Sequence, residues 1–210
     1  DADAMLTGNT RRYSSSLEKI CKVVDPRPGE IMFGLNMIVN RGKTIFICDT
    51  TVIEYPDENQ LAEIAISAAR VVRLLGFDPK VAFLSHSTFG KPISRNTKHV
   101  RDAIDLLKNE KVDFDFDGEM QPDVALNPIY QDVYPFSKIV GRANILIMPA
   151  LHSAAISTKL MKSFGGAKLI GPLLIGLDLP IEVAPLRSTT SDILNLASIA
   201  AYSADVIDYN

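Results

Sequence analysis

The chain has 210 residues, of which 47% are hydrophobic and 22% are charged, and its net charge at pH 7 is -3. This composition is typical of a globular domain and excludes disordered and fibrous classes. A weakly acidic chain lacks the clustered Lys and Arg on which phosphate-backbone binding depends, so nucleic acid is not an expected partner. The longest apolar stretches, such as residues 143–151, fall far short of the roughly 20 residues that cross a bilayer, so no membrane span is expected.

Two cysteines, Cys21 and Cys48, are too few for a disulfide framework or a CxxC metal site. Both stand among apolar residues, which predicts buried, reduced thiols and therefore a cytoplasmic protein. The acidic N-terminus has no basic stretch followed by an apolar run, so we expect no signal peptide. Because the opening residues DADAMLTG carry no initiator Met and no cap or turn signal, we interpret them as an internal cut, with a preceding portion missing.

The first half of the chain is predicted to contain an early hairpin and one long helix. Hydrophobic spacing predicts, after an opening loop, the following order: helix 14–24, strands 31–39 and 44–53, helix 58–75 and strand 80–85. Asn40 and Gly42 favour a tight turn between the first two strands, because both tolerate a positive φ angle. Asp57 is placed to cap the long helix and Gly76 to end it.

Strands and helices alternate through the second half. The patterns predict helix 95–108, strands 113–120 and 143–149, helix 153–164, strand 168–175 and helix 190–206. Ser188, Thr189 and Thr190 compete as caps of the last helix, and the link before it is interpreted as a crossover to another layer or domain. This rhythm predicts an α/β protein with three layers, α/β/α, around a mostly parallel sheet with a hairpin.

Open α/β sheets bind ligands beyond the carboxyl ends of their strands, where helix N-termini present unpaired N–H groups. This rule selects four segments: 85–90, 117–121, 149–153 and 170–172. The first lies in LSHSTFG, whose hydroxyl and backbone N–H groups are suited to a phosphate or carbonyl oxygen. The same residues are also ordinary turn formers, so both interpretations stay open.

No metal site is expected. DFDFDG at 113–118 matches the first half of a calcium loop, but the bidentate Glu required at position twelve is replaced by Val124. Alternation of acidic and aromatic residues favours a strand with one solvated face. His86, His99 and His152 lack ligand spacing. His99 is expected to face solvent, whereas His86 and His152 follow strands and have either a ligand-contacting or a structural role.

Several segments, taken in order, resemble the phosphate acetyl/butyryltransferases: ADAMLTG at 2–8, LSHSTFG at 84–90, DGEMQPDVAL at 117–126, GGAKLIGPLLIGL from 165 and LRSTTSDI at 186–193. PALHSAAISTKL at 149–160 most resembles the C-terminal domain of hybrid NADP-dependent malic enzymes. The resemblance implies two α/β units, like those of the isocitrate dehydrogenase class, with a site in the cleft between them. Residues 1–179 then form mainly the second unit, and 180–210 return to the first, most of which is missing.

The resemblance also implies a ligand, acetyl-CoA or acetyl phosphate, and a set of residues near it. These are Thr7, Gly8, Ser85, Ser87, Thr88, Gly90, Asp117, Arg187 and Asp192. Arg187 and Asp192 match the family's arginine, which handles the acyl phosphate, and its aspartate, a proposed base for the CoA thiol.

The resemblance implies an acidic residue in transferases where His152 stands and an Asn where Ala155 stands, and three further departures bear on catalysis. Leu186 replaces a serine, Phe89 replaces a common lysine and Ile175 replaces a common glutamine; the spacing from Arg187 to Asp192 is also one residue shorter. Because acyl transfer needs a deprotonated thiol and a stabilised oxyanion, losing a hydroxyl and a cation favours binding without turnover.

The leading hypothesis is therefore a regulatory, acetyl-CoA-sensing domain of a malic enzyme. It implies no cofactor in this chain, with NADP and Mg or Mn in absent domains that oxidise malate, and a homo-oligomer. The alternatives are an active phosphate acetyltransferase and a segment that serves chiefly in assembly.

Overall fold

The computed structural model describes residues 2–92 and 97–207. Within those residues the chain forms eight strands and six α-helices. In chain order they are β1 Met5–Gly8, α1 Tyr13–Ile20, β2 Phe33–Asn40, β3 Lys43–Cys48, α2 Glu58–Leu74, β4 Lys80–Leu84, α3 Lys98–Glu110, β5 Asp115–Met120, α4 Pro122–Leu126, β6 Ile145–Ile147, α5 Leu151–Ser163, β7 Lys168–Ile175, β8 Ile181–Ala184 and α6 Thr190–Ile207.

Six of the strands form one sheet in the order β5-β4-β6-β3-β2-β7. β5, β4, β6 and β3 are parallel to one another, whereas β2 is antiparallel to both of its neighbours. β2 and β3 are the predicted hairpin, in which Asn40 faces Lys43. In the turn, Arg41 and Gly42 have positive φ angles. The positive φ angle expected at Asn40 is therefore found at the next residue, Arg41. The predicted fold class is confirmed.

Helices cover both faces of this sheet. On one face, Phe46 and Phe83 pack in a cluster with Leu61 of α2 and Leu107 of α3. On the other face, the sheet packs against α4 and α5 through a second cluster that includes Ala154. The buried strand β6, with all three of its residues fully covered, lies at the centre of these three layers.

Local sequence signals explain the long helix α2. Asp57 Oδ1 accepts a hydrogen bond from Gln60 N at 2.9 Å, and Asp57 N donates to Gln60 Oε1 at 3.0 Å. These reciprocal bonds pair two of the N–H groups that a helix start leaves without intrahelical partners. Gly76, with φ of 86°, follows the helix end, so both predicted boundary residues act as expected.

A second, two-stranded sheet joins the beginning of the chain to its end. β1 and β8 are parallel, with Met5 opposite Ile181 and Gly8 opposite Ala184. The prediction of an opening loop is wrong, because that region contains β1. The link before α6, interpreted as a crossover to another layer or domain, contains β8 of this second sheet. Each strand is too short for its own pattern to indicate it, because its pairing partner comes from the other end of the chain. α4 was missed for the same reason of length.

Two further expectations differ from the structure. Cys48 is buried, but Cys21 is exposed, because it follows the last residue of α1 at a position that faces away from the core. The start predicted for α3, Arg95, lies outside the described residues. None of the helices within 2–92 and 97–207 combines the length and apolar character that a membrane crossing needs.

Candidate functional site

A cleft of about 560 Å³ lies where α1, β2, the segment after β3, α5, β7 and the start of α6 meet. Its lining combines apolar walls, hydroxyl groups and charged side chains. The lining residues are Tyr13, Ser14, Leu17, Asn36, Thr50, Thr51, Leu151, Ala155, Thr158, Lys159, Lys162, Leu169, Ile170, Gly171, Pro172, Pro185, Leu186, Arg187, Ser188, Asp192 and Leu196.

The buried carboxylate of Asp49 fixes the loop that carries Thr50 and Thr51 into the cleft. Its oxygens accept hydrogen bonds from Gly34 N at 2.8 Å, Thr51 N at 2.8 Å and Ile53 N at 2.6 Å. Burial raises the pKa of Asp49, and these backbone bonds oppose the rise. The two threonine hydroxyls lie 3.4 Å apart, so this loop presents a rigid pair of hydroxyl groups.

Asn36 and Gly171 form a tightly packed part of the cleft wall. Asn36 is 4% exposed, and its Oδ1 is buried without a hydrogen-bond partner among the described residues. A Cβ added at Gly171, whose φ is 121°, would lie 2.7 Å from that oxygen. Since buried acceptors are normally paired, this oxygen is an exception within the cleft wall.

Arg187 and Asp192, the two candidates from the last motif, both line the cleft. Arg187 has a φ of 63°, and its backbone N donates to Asn9 O at 3.3 Å. Asp192 belongs to the cap of α6: its Oδ2 accepts from Thr189 N at 2.9 Å and from Thr189 Oγ1 at 2.8 Å. Of the three competing caps, Thr189 is the one used. These bonds are the main cause of a lowered pKa of Asp192.

A second buried acid, Glu182 of β8, lies close to the cleft residue Tyr13. Glu182 is 4% exposed, and its Oε2 accepts from Leu174 N at 3.2 Å. Burial raises the pKa of Glu182 well above its ordinary value. Burial also raises the pKa of Tyr13, with a further contribution from the charge of Glu182. On this side of the cleft, burial therefore favours the neutral, protonated forms of Glu182 and Tyr13.

The raised pKa of Glu182 predicts a pH-dependent stability. Above about pH 4.3, the folded chain still holds the proton of Glu182, whereas the unfolded chain has released it. The contribution of Glu182 to the free energy of unfolding is therefore greatest below about pH 4.3 and falls as pH rises. Glu182→Gln stays neutral and keeps an acceptor for Leu174 N, so we expect it to be more stable than wild type by about 1 kcal/mol at pH 8 and equal near pH 4. Urea unfolding at both pH values measures this. Glu18→Gln, at an exposed position of α1, is the control, and a gain independent of pH would contradict the prediction.

The Ser85 and Ser87 hydroxyls lie away from the cleft, in a buried polar network. Ser87 is fully buried and donates to Glu119 Oε1 at 2.6 Å, and its Oγ lies 3.2 Å from Ser85 Oγ. Arg101 Nη1 donates to both oxygens of Glu119, at 3.1 and 3.0 Å. The structure therefore uses these hydroxyls to join the ends of β4 and β5.

Thr88, Gly90 and Asp117 also lie outside the cleft lining. Thr88 Oγ1 accepts from Gln121 N at 3.2 Å, which ties the segment after β4 to the end of β5. Gly90 has a φ of 82° in the same turn. Asp117 accepts from Gly118 N at 2.9 Å and from Lys138 N at 2.7 Å. These groups serve local structure, and among the described residues none of them lines the cleft.

Thr7 and Gly8 lie on β1, beside β8, and are not among the lining residues. Asn9, next to Gly8, donates its N–H to Ala184 O at 2.9 Å and accepts from Arg187 N. This strand pair therefore sets the backbone position of Arg187. Of the nine predicted residues, the structure brings Arg187 and Asp192 to the cleft and places the other seven outside its lining.

The departures from the transferase pattern have different structural outcomes. Leu186, which the resemblance sets at the position of a transferase serine, is 55% exposed and lines the cleft with an apolar side chain. Phe89 packs against Tyr134 and Phe136, with ring centroids 5.2 and 4.9 Å away. The common lysine is thus replaced by a residue of an aromatic cluster.

The histidines and the acidic segment stay outside the cleft lining. His86 and His152 are exposed, and the His152 ring lies 5.9 Å from that of Tyr55. His99 is half-buried, with Nε2 3.4 Å from Pro149 O, so it faces solvent only in part. DFDFDG leads into β5, as the alternating pattern predicted. In the described part of the chain, no three His, Cys, Asp or Glu side chains are grouped to hold a metal ion.

Comparison with known proteins defines the class to which this fold and cleft belong. The family model described as phosphate acetyl/butaryl transferase matches residues 1–201, and the chain belongs to that family. The NADP-dependent malic enzyme of Rhizobium meliloti is 47% identical over 204 residues, which are 97% of this chain and 27% of that enzyme. The chain thus matches a domain contained in malic enzymes and spans about a quarter of their length, which confirms the resemblance predicted from the motifs.

Transferases of the same family are also similar over nearly the whole chain. The phosphate acetyltransferase of Bacillus subtilis is 30% identical over 205 residues, covering 97% of this chain and 64% of that enzyme. A crystal structure of a phosphotransacetylase from Streptococcus pyogenes matches with a TM-score of 0.91 and 29% identity, over 98% of this chain and 64% of that one.

Sequence reasoning missed most of the cleft wall. Tyr13, Asn36 and the two threonines after β3 carry no motif, and Lys159 and Lys162 read as ordinary helix lysines. The strand-end rule did select residues 170–172, and part of 149–153, which line the cleft. Its other two segments lie at the ends of β4 and β5, away from the lining. The polar Asp-Thr-Thr run directly after a buried strand was the one usable signal for the loop of Asp49.

Proposed function

We propose that this chain is the C-terminal regulatory domain of an NADP-dependent malic enzyme and that it senses acetyl-CoA bound in the cleft. The proposal is supported by a cleft that carries Arg187 and Asp192 of the last motif although neighbouring positions differ from the transferase pattern. Arg187 still lines it, but Leu186 supplies an apolar surface where a transferase supplies a hydroxyl. A ligand keeps its binding walls, whereas the tetrahedral oxyanion of acyl transfer loses a donor.

The state of Asp192 supports binding over catalysis. Thr189 donates two hydrogen bonds to its carboxylate, which lowers its pKa and commits it to the cap of α6. A general base works best when its pKa lies near the working pH, so a carboxylate of lowered pKa is a weak base for a thiol.

The test uses the complete protein and follows NADP reduction by malate as acetyl-CoA is added. We expect acetyl-CoA to inhibit malate oxidation in a saturable way and to raise the melting temperature, because a ligand that binds only the folded state stabilises it. Arg187→Ala should raise the half-maximal acetyl-CoA concentration about tenfold or more, the size of a lost charge-assisted contact. The absence of both effects in wild type would rule the proposal out.

Arg73→Ala provides the matched control for that variant. Arg73 pairs with Asp113 at 3.3 Å, is 47% exposed and does not line the cleft. Arg73→Ala removes one positive charge, as Arg187→Ala does, but it changes no residue that lines the cleft. The dependence on acetyl-CoA should therefore stay that of wild type.

The alternative function is phosphate acetyltransferase activity. The observations that favour it are the similarity to the Bacillus subtilis enzyme and the presence of both Arg187 and Asp192 at the cleft. Acetyl-CoA formation from acetyl phosphate and CoA by the complete protein, lost in Asp192→Asn, would establish this alternative.

The remaining parts of the proposal concern the whole protein. NADP and Mg or Mn belong to domains other than this one, which carry out malate oxidation in the cytoplasm. The protein is proposed to be a homo-oligomer, since α5 exposes apolar side chains at Ile156 and Leu160 and is followed by the exposed Phe164. Sedimentation of the complete protein measures its oligomeric state.

A further inference from the structure

A second cavity, of about 500 Å³, lies at the opposite edge of the six-stranded sheet from the cleft. Its lining includes Thr44 at the start of β3, Lys80 at the start of β4 and Asn144 directly before β6. The cleft instead contacts residues that follow β3 and β6. Because β3, β4 and β6 are parallel, this amino-edge cavity is separate from the cleft, and the two share no lining residue.

Asn144 holds the walls of the amino-edge cavity together. Its Oδ1 accepts a hydrogen bond from Lys80 N at 2.8 Å, and its Nδ2 donates to Asp78 O at 2.7 Å. Its backbone N donates to Lys80 O at 3.0 Å, and its backbone O accepts from Phe46 N at 2.7 Å. The segments before β4 and β6 are therefore fixed relative to each other, and a site fixed in advance loses less free energy when a ligand binds.

The lining of the amino-edge cavity has an excess of positive charge. It contains three cations, Lys43, Lys80 and Arg142, and one carboxylate, Asp78, which leaves two positive charges. The C-terminal end of α2 lies at the same edge and contributes a partial negative charge of roughly one half, which is smaller than this excess. Since the whole chain has a net charge of -3, the excess is local and favours an anionic ligand.

Arg142 is the cation best placed to hold an anion. It is half-buried, and its guanidinium has no hydrogen-bond or ion-pair partner within residues 2–92 and 97–207. Its backbone position is fixed by the next residue, because Ala143 N donates to Ala125 O at 2.9 Å. Lys80, in contrast, already donates from Nζ to Val140 O at 2.7 Å. A guanidinium presents several N–H donors in a planar fork that matches a carboxylate or a phosphate.

The rest of the lining is apolar. Phe77, Leu126 and Pro128 form this part of the wall. The Phe77 ring is held by an edge contact with Phe46, with ring centroids 5.4 Å apart. Small-molecule sites of this size typically combine apolar walls with a few placed polar groups. The ligand that matches such a lining has an apolar body as well as a negative charge.

We propose that the amino-edge cavity binds a small dianion with an apolar body and that Arg142 holds its charged group. A phosphate monoester and a dicarboxylate share this chemistry, because both carry two negative charges on oxygens that accept from a guanidinium. Two negative charges also match the two excess positive charges of the lining. This site goes beyond the proposed function, because it lies away from the cleft and takes a different ligand.

The experiment measures calorimetric binding of three probes to the complete protein and to Arg142→Gln, in 0.15 M salt to screen distant charges. Phenyl phosphate and phthalate are dianions with one ring, and benzyl alcohol is a neutral ring. We expect wild type to bind at least one of the dianions more tightly than benzyl alcohol. Arg142→Gln should weaken that binding about tenfold or more, the size of a lost charge-assisted contact. The dianion that binds more tightly identifies the phosphate or the carboxylate as the natural group.

Arg41→Gln is the matched control. Arg41 is exposed in the turn between β2 and β3, at the same edge of the sheet, but it does not line the cavity. The variant removes one positive charge, as Arg142→Gln does, and exposed charges are largely screened in this salt. It should leave the affinity for both dianions unchanged.

A second measurement locates the bound probe in wild type. Phenylglyoxal modifies arginine guanidinium groups, and mass spectrometry of the peptides gives the rate at each arginine. A bound dianion should slow the modification of Arg142 and leave that of Arg41 unchanged. The site is wrong if wild type binds neither dianion, if both variants lose the same affinity or none, or if Arg142 is not protected. The acetyl-CoA response is measured separately, so that failure would leave the proposed function intact.

Discussion

Arg101→Met is expected to destabilise the folded chain by about 3 kcal/mol or more. Glu119 is completely buried, and Arg101 Nη1 contacts both of its oxygens within 3.1 Å. Removing one partner of a buried pair leaves the other charge without its cation in a medium of low polarity, which costs far more than the loss of a surface pair. Because the Arg101 side chain is itself 35% exposed, we expect a loss of stability at the lower end of the range for broken buried ion pairs. Urea unfolding measures it.

Arg73→Met is the control for this prediction. The Arg73–Asp113 pair is exposed on both sides, and pairs of this kind contribute about 1 kcal/mol or less. The double variant Arg101→Met/Glu119→Gln should recover part of the loss, because a neutral amide costs less to bury than a carboxylate. Equal losses in Arg101→Met and Arg73→Met would show that the buried network does not hold β4 and β5 together.

Gly8→Ala is expected to destabilise the chain by about 3 kcal/mol or more and to displace Arg187. A Cβ at this position would lie 2.3 Å from Ala184 O and 2.9 Å from Ala184 N, and the φ of 104° is itself unfavourable for alanine. The backbone of β8 must therefore move away from β1. Because Arg187 N donates to Asn9 O directly after this strand, the cleft changes with it. Urea unfolding and acetyl-CoA binding of the variant measure the two effects.

Gly29→Ala separates the steric effect from the backbone effect. Gly29 also has a positive φ, 79°, but no atom lies within 4 Å of an added Cβ. Only the backbone strain then remains, about 1–2 kcal/mol, and the cleft is untouched. If Gly8→Ala costs no more than Gly29→Ala, the close approach of β1 and β8 does not control the position of Arg187.

The elements that the sequence predicted well are those with a local cause. α2 follows from the periodic spacing of its apolar residues and from Asp57 and Gly76 at its ends. The hairpin follows from Gly42 between two β-rich runs, and α6 from the cap at Thr189. In each case the interactions that fix the element lie within a few residues along the chain, so the pattern is present in the sequence itself.

The buried polar residues show how local patterns mislead about a site. Ser85 and Ser87 follow a strand and look suited to a phosphate, but their hydroxyls serve the buried Glu119 instead. Lys159 and Lys162 look like solvated helix lysines, but their face of α5 lines the cleft. A side chain's role depends on what the fold places opposite it, and that partner is distant in sequence.

The amino-acid pattern was sufficient to predict the α/β class, the order of most helices and strands, the family, and the presence of Arg187 and Asp192 in the last motif. The tertiary structure alone decided that β1 pairs with β8, that Arg187 and the two lysines face one cleft, and that Asp192 is committed to a helix cap. The physical reason is range: helix and turn preferences act over a few residues, whereas strand pairing, burial and the summed charge of a cleft arise from residues far apart in the chain.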